Sequence, residues 1–228
     1  MLLFSTLLFF GFIFFSFLVS KELFTTLDFD TTVKMQDHLS RKWDFFFSTF
    51  SIIGSAEITI LTWLIILITL LFKRFWWAAL TLPLFLMTGF LEIFGKIFVL
   101  HPGPQFFLYR GVLKFNFPSH FVQTDYSYPS GHLARTSFLV TFLLGWLILK
   151  TKGLSKLIAS IFLILFFIIM FISRIYLGEH WLTDVIGGSL LGGSLGLFSA
   201  ATIPTRRGKI NRLEKSQDEK LPTKQDPK

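Results

Sequence analysis

The 228-residue sequence predicts an all-α integral membrane protein, a bundle of six transmembrane helices. Three observations carry that fold class. Apolar residues make up 52% of the chain and include 31 Phe, which points away from an ordinary soluble domain. They gather into six blocks, each long enough to cross a hydrocarbon core of roughly 30 Å as a helix. Basic residues concentrate in alternate connections, the pattern that orients a multi-pass chain.

The blocks follow in order. Residues 1–19 form the first; no Lys or Arg precedes it and no small-x-small cleavage pattern follows before Lys21, so it reads as a retained helix. Residues 20–49 are a polar connection with interfacial helix character, Leu23, Phe24, Leu27 and Leu39 being interspersed with charges. Spans over 50–72 and 75–100 come next, with Glu57 in the former read as protonated, as paired between helices or as related to substrate. The long connection 101–131 carries Pro102, Pro104, Pro118 and Pro129, which break regular helix, among Phe106, Phe107, Tyr109, Phe115, Phe117, Phe121, Tyr126 and Tyr128, aromatics suited to the headgroup boundary. Spans over 132–149, 154–173 and 184–203 complete the bundle, and the glycine run from Gly187 to Gly196 reads as close helix packing. Residues 1–203 thus make one membrane domain, and 204–228 a basic, disordered tail.

The net charge of +8 suggests nucleic acid, but the positions of the charges serve topology instead. Lys73 and Arg74, then Lys150, Lys152 and Lys156, and finally the tail all fall on one side of a six-span chain. The positive-inside rule makes that side the cytoplasm, with both termini there, in a plasma-membrane protein. No nucleic-acid partner is expected. The chain has no Cys, which excludes disulfides and thiolate metal sites.

Span parity then brings distant polar residues to the opposite, extracytoplasmic face. Lys96 lies near the end of the third span, Ser130 and His132 at the start of the fourth, Arg174 and His180 past the fifth, and Asp184 at the start of the sixth. Ionisable groups at such positions are functional candidates because their desolvation is costly. Lys96 and Arg174 suit an oxyanion, Ser130 adds a hydroxyl, and the N–H groups around Gly131 sit where a helix begins. Two histidines supply a nucleophile and a general acid, and Asp184, four residues after His180, can hold its tautomer. This chemistry calls for no metal and no cofactor.

Pro129-Ser130-Gly131-His132 and Ser173-Arg174-x5-His180-x3-Asp184, preceded by Lys96, resemble the signature motifs of the type 2 phosphatidic acid phosphatase superfamily. The resemblance runs from about the second span to the sixth. It implies a lipid phosphatase in which His180 forms a phosphohistidine, Asp184 orients it, His132 is the general acid, and Lys96, Ser130, Gly131 and Arg174 bind phosphate. Undecaprenyl diphosphate, phosphatidic acid and phosphatidylglycerol phosphate all fit that substrate class. One position departs from the family pattern: Gly103, before Pro104, stands where an Arg is usual. By analogy with single charged hydrogen bonds, such a loss costs on the order of 1.5–3 kcal/mol. His101, Arg110 or Arg135 is in reach to compensate.

Plainer roles stand beside these. His38, His101 and His120 read as interfacial polar residues, and Trp181 as a boundary anchor. Lys96 has a partner one turn earlier in Glu92, and Arg135 is divided between snorkelling and a phosphate contact. The alternative to an enzyme is a catalytically weak lipid-phosphate binding protein of the same fold, motivated by Gly103. A transporter would need broken helices near the midplane, and the polar set clusters at span ends instead.

Overall fold

The computed structural model describes residues 1–113, 118 and 125–204, all of it helix, turn and loop with a single isolated bridge between Pro102 and Tyr126. The predicted tail beyond Pro204 lies outside the described residues, as do Lys114, Phe115, Phe117, His120 and Phe121. The helices are α1 (Leu2–Ser20), α2 (Thr25–His38), α3 (Asp44–Ile53), α4 (Ala56–Phe72), α5 (Trp76–Thr81), α6 (Leu84–Val99), α7 (Gly131–Lys150), α8 (Leu154–Tyr176) and α9 (Leu182–Ala201).

Among the described residues five helical segments are long and apolar enough to cross a membrane, and a sixth forms if the bent pair Arg41–Ile53 and Ala56–Phe72 is counted. The chain is a multi-pass membrane bundle. Two expected spans are less regular than the sequence implies. The span expected over 50–72 bends by 48° at Gly54–Ser55, where the Ser55 hydroxyl accepts the Ile58 N–H and starts α4 afresh. The span over 75–100 is divided into α5 and α6 at Pro83, which has no N–H to give the ladder. The polar connection 20–49 contains α2 and the start of α3.

Helices α7 and α9 form the centre, and α1 packs against α9 from one side. Their axes approach closely because α9 presents glycine at every turn of the contact. A methyl group at Gly188, Gly192 or Gly196 would strike the carbonyl of Ser130, Ala134 or Phe138 on α7. Outer helices bury only one face. Phe10 and Phe14 on α1, Phe90 and Ile93 on α6, and Ile158 and Phe162 on α8 are exposed, as side chains solvated by lipid should be.

The bundle has two distinct ends. At one, the Lys150 ammonium bonds the Pro204 carbonyl and lies 5.0 Å over the Phe75 ring, so the basic connections and the end of α9 are gathered together. At the other, the end of α6, the start of α7, the end of α8 and the start of α9 converge. The candidate residues occupy that second end.

Candidate active site

The site is built from two walls. The first rests on the turn between α8 and α9. Gly178, at φ +63°, reverses the chain, and the Glu179 and His180 N–H groups both donate to the Arg174 carbonyl at 3.2 Å. Asp184, in the first turn of α9, accepts the Trp181 N–H at 2.9 Å, closing the start of its own helix. The same carboxylate oxygen faces His180 Nδ1 at 3.3 Å. The predicted pairing therefore exists, although His180 lies before the helix and the turn, not helical periodicity, produces it.

The other Asp184 oxygen meets His101 Nδ1 at 3.0 Å. On its far side His101 Nε2 lies 3.7 Å from Asp28, and the Asp28 carboxylate is held by the N–H and hydroxyl of Thr183 at 2.9 and 2.7 Å. His101 is thus a buried member of a charged chain and not an interfacial polar residue. Trp181 is likewise buried, not a boundary anchor, and its indole donates to the Pro102 carbonyl at 2.8 Å.

The second wall is cationic. Ser130 precedes α7, and its N–H donates to the Asp184 carbonyl at 3.0 Å, which ties the starts of α7 and α9 together. Its hydroxyl is buried, does not cap α7, and has no hydrogen-bond partner among the described residues. Against Gly131, at the helix start, lies the carboxylate of Glu92, in the space a Cβ would fill. That carboxylate holds Lys96 at 3.0 Å through one oxygen and Arg135 at 2.7 Å through the other. Arg135 is therefore turned into the site and not snorkelling. Arg174, fully enclosed, contacts Glu179 and the Ser51 hydroxyl, while its Nε finds no acceptor among the described residues.

A cavity of about 540 Å³ joins the walls, lined by Lys96, Gly103, Tyr126, Glu179 and His180. His132, half-buried at the second position of α7, is backed by Gly54, where an added Cβ would sit 3.2 Å from its ring. Burial pushes the His180 imidazole below its ordinary pKa, and the nearby Arg174 and Lys96 charges act the same way against Asp184, so His180 is neutral at neutral pH. Of the groups expected to replace the Arg missing at 103, Arg110 is spent elsewhere, donating to the Leu39 carbonyl and the Tyr176 hydroxyl. His101 is spent on carboxylates.

Three participants escaped the sequence reading. Glu179 is the neighbour of a motif histidine, inside the unspecified x5 of that motif; Asp28 and Ser51 lie on α2 and α3, outside every motif.

The family model described as the PAP2 superfamily matches residues 77–208. The chain belongs to the PAP2 superfamily. Among curated proteins it is similar to an undecaprenyl-diphosphatase of Sulfolobus acidocaldarius, 34% identical over 110 residues that make up 44% of this chain and 46% of that protein. A phosphatidylglycerophosphatase B of Bacillus subtilis is 33% identical over 72 residues, 31% of this chain and 36% of that one. The chain thus spans less than half the length of these two curated relatives. The fold extends further than those alignments. The crystal structure of a transmembrane PAP2 type phosphatidylglycerolphosphate phosphatase from Bacillus subtilis superposes with a TM-score of 0.68, covering 97% of this chain and 98% of that one at 21% identity.

Proposed function

We propose that this PAP2 member is a lipid phosphatase that removes a terminal phosphate from a lipid phosphate or diphosphate through a phosphohistidine on His180. The observation that carries the reading is the Asp184 contact at His180 Nδ1, which leaves Nε2 as the lone pair, beside a cavity that also presents Lys96. In the first step Nε2 bonds phosphorus while the bond to the leaving oxygen breaks, and His132 gives that oxygen its proton. In the second, His132 takes a proton from water as the water oxygen attacks phosphorus, which frees His180 and inorganic phosphate. Arg174, Lys96, Ser130 and the Gly131 N–H bind the charged phosphoryl oxygens, with Arg135 as a further contact. The mechanism needs no metal.

A lipid substrate is favoured by the relatives' names and by an apolar groove of about 560 Å³ between α3, α4, α7 and α8. It includes Phe50, Thr136, Leu139, Phe166 and Ile169, beginning one helical turn from His132. An outer-face site with compact loops favours the undecaprenyl diphosphate carrier over phosphatidic acid and phosphatidylglycerol phosphate. The topology proposed is that of the basic connections: Lys73, Arg74, Lys150, Lys152 and Lys156 cytoplasmic, both termini with them, and the site extracytoplasmic in the plasma membrane. In this layout residues 1–203 are the phosphatase domain and 204–228 a basic cytoplasmic tail. Because the chain has no Cys, Gln105→Cys is a clean topological probe. An impermeant thiol reagent labels it from outside intact cells if the site faces out; labelling only after lysis reverses the topology.

The enzymatic test is phosphate release from those three lipids in detergent, with and without chelator. Turnover on at least one lipid, indifferent to chelator and reduced by at least about 10⁴-fold in His180→Ala, is expected. Activity untouched by that substitution sinks the mechanism, and chelator-sensitive turnover contradicts its metal independence. Gly103 favours a second reading, a lipid-phosphate binding protein with little turnover. Binding without phosphate release would establish it.

A further inference from the structure

The PAP2 motif residues end at Asp184, but the buried charge chain does not. Beyond Asp184 it continues through His101 to Asp28, joining α2, the segment after α6, and α9. The placement of His101 is tightly determined. Leu100 closes α6 in the left-handed region at φ 53°, uncommon for a residue with a side chain, and this turns His101 inward. The His101 carbonyl accepts the Ser127 N–H at 2.9 Å, and the next carbonyl, of Pro102, accepts the Trp181 indole at 2.8 Å. The backbone at the imidazole and just after it is therefore pinned.

Both ring nitrogens face carboxylates, Nδ1 that of Asp184 at 3.0 Å and Nε2 that of Asp28 at 3.7 Å. A neutral imidazole carries one N–H and one lone pair, so it would turn the lone pair to an anion. An imidazolium hydrogen-bonds Asp184 through Nδ1 and sets its second N–H and its positive charge toward Asp28. We propose that His101 is a positioning residue for the nucleophile, a buried imidazolium that fixes the Asp184 carboxylate from the side opposite His180 and balances its charge. The charge supplied at 103 by Arg in the usual motif is here placed two residues earlier and spent on Asp184 instead of phosphate.

The charged groups facing His101 are Asp184 from α9, Asp28 from α2 and Glu22 from the turn before α2. Burial alone would lower its pKa, but the Asp184 hydrogen bond and charge, with Asp28 and Glu22, outweigh that and hold it above the ordinary imidazole value. The charge that the geometry calls for at His101 is thus favoured by its surroundings, while burial with Arg174 and Lys96 pushes His180 toward its neutral form. Removing the cation leaves the full charge of Asp184 acting on His180, so protonated His180 persists to higher pH. Removing Asp28 has the opposite sign.

This inference rests on the phosphatase reading, and its test separates the two. In full-length protein in detergent, His101→Gln should lower kcat by about 10- to 100-fold, leave KM within about threefold, and move the acid limb of the pH profile upward by about 0.5–1 unit. Asp28→Asn should lower kcat less and move that limb downward. A raised KM with kcat intact would instead make His101 a phosphate ligand, and a loss of kcat with both limbs unmoved would make it merely structural; either overturns the proposal. ¹⁵N NMR of the histidines in unmutated protein, with the His101 signal assigned from the Gln variant or from Asp28→Asn perturbation, reads the charge without turnover. Two protonated ring nitrogens at pH 7.5 are expected. A neutral ring overturns the proposal whatever the enzyme's substrate proves to be.

Discussion

The two walls of the cavity are finished to different degrees. On the nucleophile wall both carboxylates are engaged within the protein: Asp184 is bonded by the Trp181 N–H, His180 and His101, and Asp28 by both donors of Thr183. On the phosphate wall the cations are held by stand-in carboxylates, Lys96 and Arg135 by Glu92 and Arg174 by Glu179, while the Ser130 hydroxyl and the Nε atoms of Arg135 and Arg174 find no partner among the described residues. A group that must stay put through both chemical steps is preorganised by buried hydrogen bonds. Groups that must receive and release a dianion are kept charged and available, with a protein anion where the ligand will be. Unpaired buried polar atoms are costly, and although Thr32 and Thr136 carry two more elsewhere, the three on this wall mark where the substrate supplies the missing partner.

That contrast can be broken at several points. The largest expected effect is at Arg174. Arg174→Ala should lower kcat/KM by about 10²–10³-fold, because a preorganised donor to the developing phosphoryl charge is lost. An effect below about fivefold would mean that the guanidinium only anchors Glu179 and Ser51.

Gly103 offers the reverse experiment. It is half-buried at the cavity edge, and an added Cβ there meets nothing nearer than Ser127 at 3.7 Å. Gly103→Arg therefore has room, and should tighten competitive inhibition by inorganic phosphate or vanadate about tenfold. Weaker inhibition would mean that the wall as it stands already satisfies the phosphate.

A smaller effect is expected at Glu92. If its carboxylate holds the place of the substrate, Glu92→Gln keeps the shape, removes the competing charge and lowers KM by about 3- to 10-fold. A raised KM would show instead that Glu92 positions Lys96 and Arg135, and the phosphate wall would then be as finished as the other.

How much of this was legible depended on whether a residue's role was local or tertiary. The motif residues could be placed at one end of the bundle because span parity needs only hydrophobic blocks, and the Lys96–Glu92 pair because helix periodicity fixes i and i+4. The glycines of α9 announced close packing because few other roles explain glycine at successive turns of an apolar helix. The bend at Gly54–Ser55 was hidden inside a continuous apolar run, where hydropathy is blind to a change of helix axis. His101 was misread because it stands alone in sequence; its two carboxylates come from α2 and α9, far along the chain, and only the fold brings them together. Ser51 and Asp28 were invisible for the same reason. Trp181 reads as an anchor from its position near a span end, whereas the fold buries it with its indole N–H on the Pro102 carbonyl, a partner far along the chain.

The central claim is that His180 is the group the finished wall exists to hold. It is tested most directly by acid-stable versus acid-labile trapping: lipid substrate labelled with ³²P in the terminal phosphate, mixed with full-length protein, denatured within milliseconds in alkaline detergent, and mapped by peptide. Label that survives alkali, is lost in acid, maps to His180 and disappears in His180→Asn is the predicted result. Undiminished turnover with the label on another residue, or with none on protein under conditions where a phosphohistidine standard survives, would contradict it.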